Sequence, residues 1–129
     1  MIPKQFFSNN EIHDISRVIQ EVELNTSGIV RIHIESYCKG DPLDRAAYIF
    51  NKLDMQNSEF RNGVLLYLAI NDRKFSIIGD AGINMVTSKN FWDDIKDIVF
   101  EHFNEGRFAE GISEGILIAG EALNLHFPA

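Results

Sequence analysis

Apolar residues recur at Ile12, Ile15, Ile19 and Val22, a spacing that predicts the buried stripe of a helix. Ser8-Asn9-Asn10-Glu11 reads as its capping box, with Ser8 at N-cap and Glu11 at N3, and Phe7 and Ile12 are spaced as a hydrophobic staple. Thr26-Ser27-Gly28 stops it. The period then changes to two. Val30, Ile32 and Ile34 alternate with Arg31, His33 and Glu35, which predicts a strand over 29–35 with one apolar and one polar face.

Asp41-Pro42 opens a second helix, Asp41 suiting N-cap and Pro42 N1. Its expected buried face is Leu43, Ala46, Ala47, Phe50 and Leu53. Residues 64–70 are continuously apolar and follow Asn62-Gly63, the pattern of a central strand buried on both faces. Asn71-Asp72-Arg73-Lys74 is too short for a crossover, so residues 75–79 should return antiparallel. Asp80-Ala81-Gly82 reads as a turn. Thr87 or Ser88 is the expected cap of a third helix carrying Phe91, Ile95, Ile98 and Val99, which ends near Gly106. A last helix runs from about Arg107 to Leu125, burying Phe108, Ile112, Ile116, Ala119 and Leu123. Its small-residue row, Gly111, Gly115 and Ala119, predicts close packing on the sheet or a neighbouring helix.

The order is α-β-α-β-β-α-α, an α/β layer structure with a mixed sheet, read as one domain over 1–129 with its core in about 7–127. The first and central strands, joined through a helix, should run parallel.

Composition narrows the classes. No apolar run reaches the roughly 18 residues of a membrane span, and the N-terminus lacks the apolar core of a signal peptide. One cysteine, Cys38, leaves no intramolecular disulfide framework. A net charge of −7 argues against nucleic acid. A cytoplasmic domain is the expectation. Eight acidic and two basic residues lie between Asp93 and Glu121, and Asp93, Asp97 and Glu101 share one helix face. That face is either solvated or meets a cation or a basic partner.

The topology brings polar residues together. Both parallel strands start, and the antiparallel strand finishes, at one end of the sheet. Glu23, Thr26, Ser58, Asn62 and Asp80 converge there with Gly28, Gly63 and Gly82 as turn glycines. Carboxylate, amide and hydroxyl oxygens suit Ca²⁺ or Mg²⁺. The alternative is that Asp80 and Asn62 only satisfy turn backbone groups. The opposite end collects Glu35, Ser36, Cys38, Asp41, Asn71 and Asp72, where capping and a hairpin turn account for Asp41 and Asp72. Arg31, His33 and Glu35 read as a partly solvated face with cross-strand charge pairing, or as an acid–base set. No phosphate-binding glycine loop, dinucleotide fingerprint, nucleophile elbow or paired-histidine zinc motif occurs, and no organic cofactor is expected.

Several motifs in order and spacing resemble the TPM-domain family: Thr26-Ser27-Gly28 leading into residues 30–35, Arg61-Asn62-Gly63-Val64-Leu65, Gly79-Asp80 with Gly82-Ile83, Phe91-Trp92, and the stretch from Gly111 to Pro128. The chain is most similar to short bacterial members without a membrane anchor. The resemblance implies a compact three-layer α/β/α domain of Rossmann-like appearance. It also implies two activities: calcium binding, described for bacterial members, and acid phosphatase activity, described for a plant thylakoid-lumen member. The family's recurrent polar positions fall on Glu23, Thr26, Arg61, Asn62 and Asp80. Ile29 stands where the family commonly has Glu, removing one oxygen ligand and one negative charge. Ser58 stands where Thr is usual and keeps the hydroxyl. The expectation is a module that binds a divalent cation weakly, on Asp80, Glu23 and Asn62, or a protein partner, with Arg61, Ser58 and Thr26 as phosphate- or anion-binding positions. The alternative is a metal-dependent phosphomonoesterase with the metal held by Asp80 and Arg61 placed to stabilise phosphate charge.

Overall fold

The computed structural model describes residues 6–129. The expectations for the N-terminus fall partly on residues 1–5, which lie outside them. Ser8 caps α1 (Asn9–Leu24) through both bonds of the capping box: Glu11 N–H donates to Ser8 Oγ, and Ser8 N–H to the Glu11 carboxylate. Then follow β1 (Ile29–Glu35), α2 (Pro42–Lys52), a single 3₁₀ turn at Met55–Asn57, β2 (Gly63–Ala69) and β3 (Lys74–Gly79). A one-turn α3 (Ala81–Asn84), α4 (Phe91–Asn104) and α5 (Phe108–His126) complete the chain.

The sheet has the order β1-β2-β3, with β1 parallel and β3 antiparallel to the central β2. All seven residues of β2 are buried, because each face is covered. Val30, Ile34, Val64, Leu66, Leu68, Phe75 and Ile77 meet α1, α4 and α5 on one face. Leu65, Tyr67 and Ala69 meet Ala46, Ile49 and Phe50 of α2 on the other. The result is three layers, α/β/α. Helix α5 lies between α1 and α4, and its glycines let both approach. A methyl on Gly115 would sit 3.0 Å from Val99 of α4, and one on Gly120 would sit 2.5 Å from Val22 of α1.

Four details differ from the sequence expectation. Asp80-Ala81-Gly82 is the start of α3 rather than a turn, and Gly63 opens β2 rather than sitting in one. Asn90 precedes α4, not Thr87 or Ser88. The Thr87 hydroxyl instead donates to Ile83 O, closing α3. In α2, Leu43 and Leu53 are 54% and 50% exposed, and Ala47 is exposed as well. The buried stripe is Ala46, Ile49 and Phe50, the residues that pack on Leu65, Tyr67 and Ala69 of β2.

Candidate functional site

At the end of the sheet where β1 and β2 begin, the polar residues form three bonded groups. In the first, Asp80 and Arg61 make a fork-to-fork ion pair, Nε to Oδ2 at 2.7 Å and Nη2 to Oδ1 at 2.8 Å. Asp80 also accepts the Ala81 N–H at 2.8 Å, which makes it the N-cap of α3. Burial pushes the Asp80 carboxyl up, but the Arg61 guanidinium and the Ala81 N–H outweigh it and hold the group below its usual range. The hydrogen bonds that Arg61 donates to Asp80 raise its own value in turn. The Asp80 side chain is 7% exposed and that of Arg61 51%. A buried anion therefore has a half-exposed counter-cation.

The backbone beneath this pair is tightly placed. Arg61 has φ 51°, the left-handed region, and its carbonyl accepts the Gly82 N–H at 2.7 Å. A methyl on Gly82 would lie 1.9 Å from Phe60 O, so glycine is needed there for close approach and not for its φ.

In the second group Asn62, 1% exposed, donates from Nδ2 to Ser27 Oγ at 3.1 Å. Nearby, the Thr26 hydroxyl is bonded to the Leu123 and Phe127 carbonyls and accepts the Gly28 N–H. Thr26 thereby ties the C-terminal end of α5 to the start of β1. In the third group Glu23 Oε2 accepts the Val30 N–H at 2.8 Å and Arg31 Nη1 at 3.1 Å. The Ser58 hydroxyl is buried with no partner among the described residues, while the Ser58 carbonyl accepts the Arg61 N–H. The structure thus joins Arg61 to Asp80 and Asn62 to Ser27, and bonds Glu23 and Thr26 elsewhere. Among the described residues no three His, Cys, Asp or Glu side chains converge. The oxygen atoms at this end are of the type a hard cation takes, but they lie in separate bonded groups, and the buried carboxylate among them is already paired with Arg61.

At the other end Asp41 caps α2 through the Leu43 N–H. Asp72 reaches beyond its hairpin to accept the Cys38 N–H at 2.7 Å. The largest electrostatic grouping here was only partly legible in the sequence. Glu35 accepts Arg45 Nε at 2.9 Å and Nη2 at 3.0 Å, and also takes the hydroxyl of buried Tyr67, with His33 at 3.3 Å. Arg45, helped by Tyr67 and His33, holds the Glu35 carboxyl at about 2 against the opposing effect of burial. Burial first, and the Glu35 carboxylate second, raise Tyr67 far above the usual phenol range. The charge pairing of the β1 polar face therefore runs to helices, from Arg31 to Glu23 of α1 and from Glu35 to Arg45 of α2, and not across the sheet. For Glu35 the only sequence signal is a basic residue one turn into the next helix.

A three-stranded mixed sheet between α2 and the α1, α4, α5 layer defines a small α/β/α domain. The TPM domain profile matches residues 2–122, and the chain belongs to that family. The chain is similar to the solution structure of the BA42 protein from the psychrophilic bacterium Bizionia argentinensis sp. nov. The TM-score is 0.88 at 41% identity, over 97% of this chain and 86% of that one. The N-terminal domain of a protein from P. gingivalis gives 0.74 at 21% identity, over 95% and 80% of the two chains. The N-terminal domain of the cg2496 protein from Corynebacterium glutamicum gives 0.73 at 16%, over 93% and 76%. The last two share the fold. No curated protein matches. Among the described residues no helix is long and apolar enough to cross a membrane.

Proposed function

We propose that this TPM domain is a non-catalytic module that binds a divalent cation, Ca²⁺ or Mg²⁺, weakly at Asp80. The observation that carries the reading is the Asp80–Arg61 fork. A buried carboxylate kept ionised is paired with a cation that is half exposed. A divalent ion would take the place of the guanidinium, with Asn62 and Ser27 as neutral oxygen donors beside it. Because one cation replaces another, and because Ile29 supplies no carboxylate, affinity is low. The exposed acidic face of α4, Asp93, Asp97 and Glu101, is the surface offered to a basic protein partner. The phosphomonoesterase reading has less support, since the Arg61 fork is occupied by Asp80 and the Ser58 hydroxyl is buried.

The test is a titration of ¹⁵N-labelled protein with Ca²⁺ and Mg²⁺, read by amide shifts. Saturable millimolar shifts are expected at Arg61, Asn62, Asp80 and Ala81, lost in Asp80→Asn. Arg61→Ala removes the competing cation and should tighten binding by about fivefold. Unchanged affinity in Asp80→Asn would place the site elsewhere. Weaker binding in Arg61→Ala would overturn the exchange.

A further inference from the structure

At the end of the sheet where the chain turns from β2 into β3, aromatic rings crowd together without filling the space between them. Phe6, Phe7, Phe75, Phe100, Phe103 and Phe108 meet edge to face or tilted, with ring centroids 4.8 to 6.1 Å apart. Rings braced against one another cannot collapse inward, and a cavity of about 110 Å³ is left among them. Leu68 and Phe103, 2% and 9% exposed, lie deepest in its lining. The half-buried Phe6, Ile70, Phe100 and Phe108 form the walls, and the exposed Arg73 and Asn104 form the rim. Burial thus falls off in one direction, and the cavity opens to solvent between an arginine and an amide.

The charge at this rim has one sign. Arg73 is the one charged residue of the lining. Of the six arginines it alone has no ion pair among the described residues, and residues 1–5 contain no Asp or Glu to supply one. Its charged neighbours are turned to other partners. Asp72 accepts the Cys38 N–H, Lys74 donates to the Cys38 and Gly40 carbonyls, and Glu105 pairs with Arg107.

We infer that this cavity binds a small carboxylate carrying a single aromatic ring, with the ring among the phenylalanines and the carboxylate on Arg73. The volume sets the size, since an apolar cavity of about 150 Å³ takes one benzene. Edge-to-face packing on the walls favours an aromatic ring over an aliphatic chain. The guanidinium offers two parallel N–H donors to a carboxylate, and the Asn104 amide stands beside it as a further donor.

The probe is phenylacetate, titrated into the full ¹⁵N-labelled chain without added metal, so that the outcome does not depend on Asp80. Saturable shifts are expected at the amides of Ile70, Arg73, Asn104 and Phe108, and none at Asn62 or Asp80. The dissociation constant should lie near a millimolar, as suits a ligand of about ten non-hydrogen atoms. Phenylacetamide has the same shape without the charge and should bind about fivefold more weakly, and 2-phenylethylamine more weakly still. Arg73→Asn removes the guanidinium at little risk to the fold, because Arg73 has φ 52° and asparagine tolerates that left-handed region. It should erase the preference for acid over amide and leave the binding of the amide unchanged. Asn104→Trp, at the exposed rim, should obstruct both ligands. Three results would overturn the proposal: no saturable shifts at tens of millimolar phenylacetate, phenylacetamide binding as tightly as the acid, or a preference for the acid that survives Arg73→Asn.

Discussion

Glu35 gathers Arg45, Tyr67 and His33 around one carboxylate, whereas Asp80 has a single charged partner, Arg61. The Glu35 carboxyl lies at about 2, against an ordinary value of 4.5, because Arg45, Tyr67 and His33 all favour the charged form. A depressed carboxylate stabilises the fold fully above its unfolded value, and that contribution is lost as pH falls through the folded one. Stability to urea should therefore drop by about 2 kcal/mol between pH 5 and pH 2.5 from this group alone. Glu35→Gln should flatten that part of the profile; an unchanged slope would mean that Arg45 does not bear on it. At this scale the sequence was half legible. Asp80 and Asn62 could be placed at one end of the sheet by topology. Their bonding could not, since the Arg61–Asp80 fork depends on a left-handed backbone at Arg61 that no spacing announces.

Elements were more legible than residues. The capping box of α1, the alternation in β1 and the Asp41-Pro42 start of α2 each have a local cause, and each stands where that cause puts it. What failed was decided between elements. Two apolar stripes of α2 share Ala46 and Phe50, and only the sheet beneath chooses between them. Likewise α3 is a single turn created by the Asp80 cap and the Gly82 contact, too short to leave a period. Contacts between helices give a further prediction. Ala in place of Gly120 improves helix propensity by about 1 kcal/mol, yet its methyl would lie 2.5 Å from Val22 Cγ2 and 2.9 Å from Cγ1. Val22 is buried and stiff, so α5 must move away from α1. Gly120→Ala should lower stability by about 2 kcal/mol, read by thermal denaturation. A rise would mean that the α1–α5 contact is soft.

At the scale of the whole molecule the sheet order was fully legible, because connection lengths leave few choices. A four-residue link forces β3 back beside β2, and a helical crossover sets β1 parallel on the other side. That order also sets a sequence of events in time. In the β2–β3 hairpin Ala69 meets Lys74 five residues on, whereas every β1–β2 pair is thirty-four residues apart, as Ile29 and Gly63 are. Closing the longer loop costs roughly 2 kcal/mol more in chain entropy. The nucleus of folding should therefore be the hairpin with α4 and α5 docked on it, and β1 should join after the rate-limiting step. In stopped-flow experiments Phe75→Leu should slow refolding nearly in proportion to the stability it removes. Val30→Ala should instead mainly accelerate unfolding. Such a late-joining strand would also be the first to leave, which locates the onset of unfolding on the Glu23 side of the molecule.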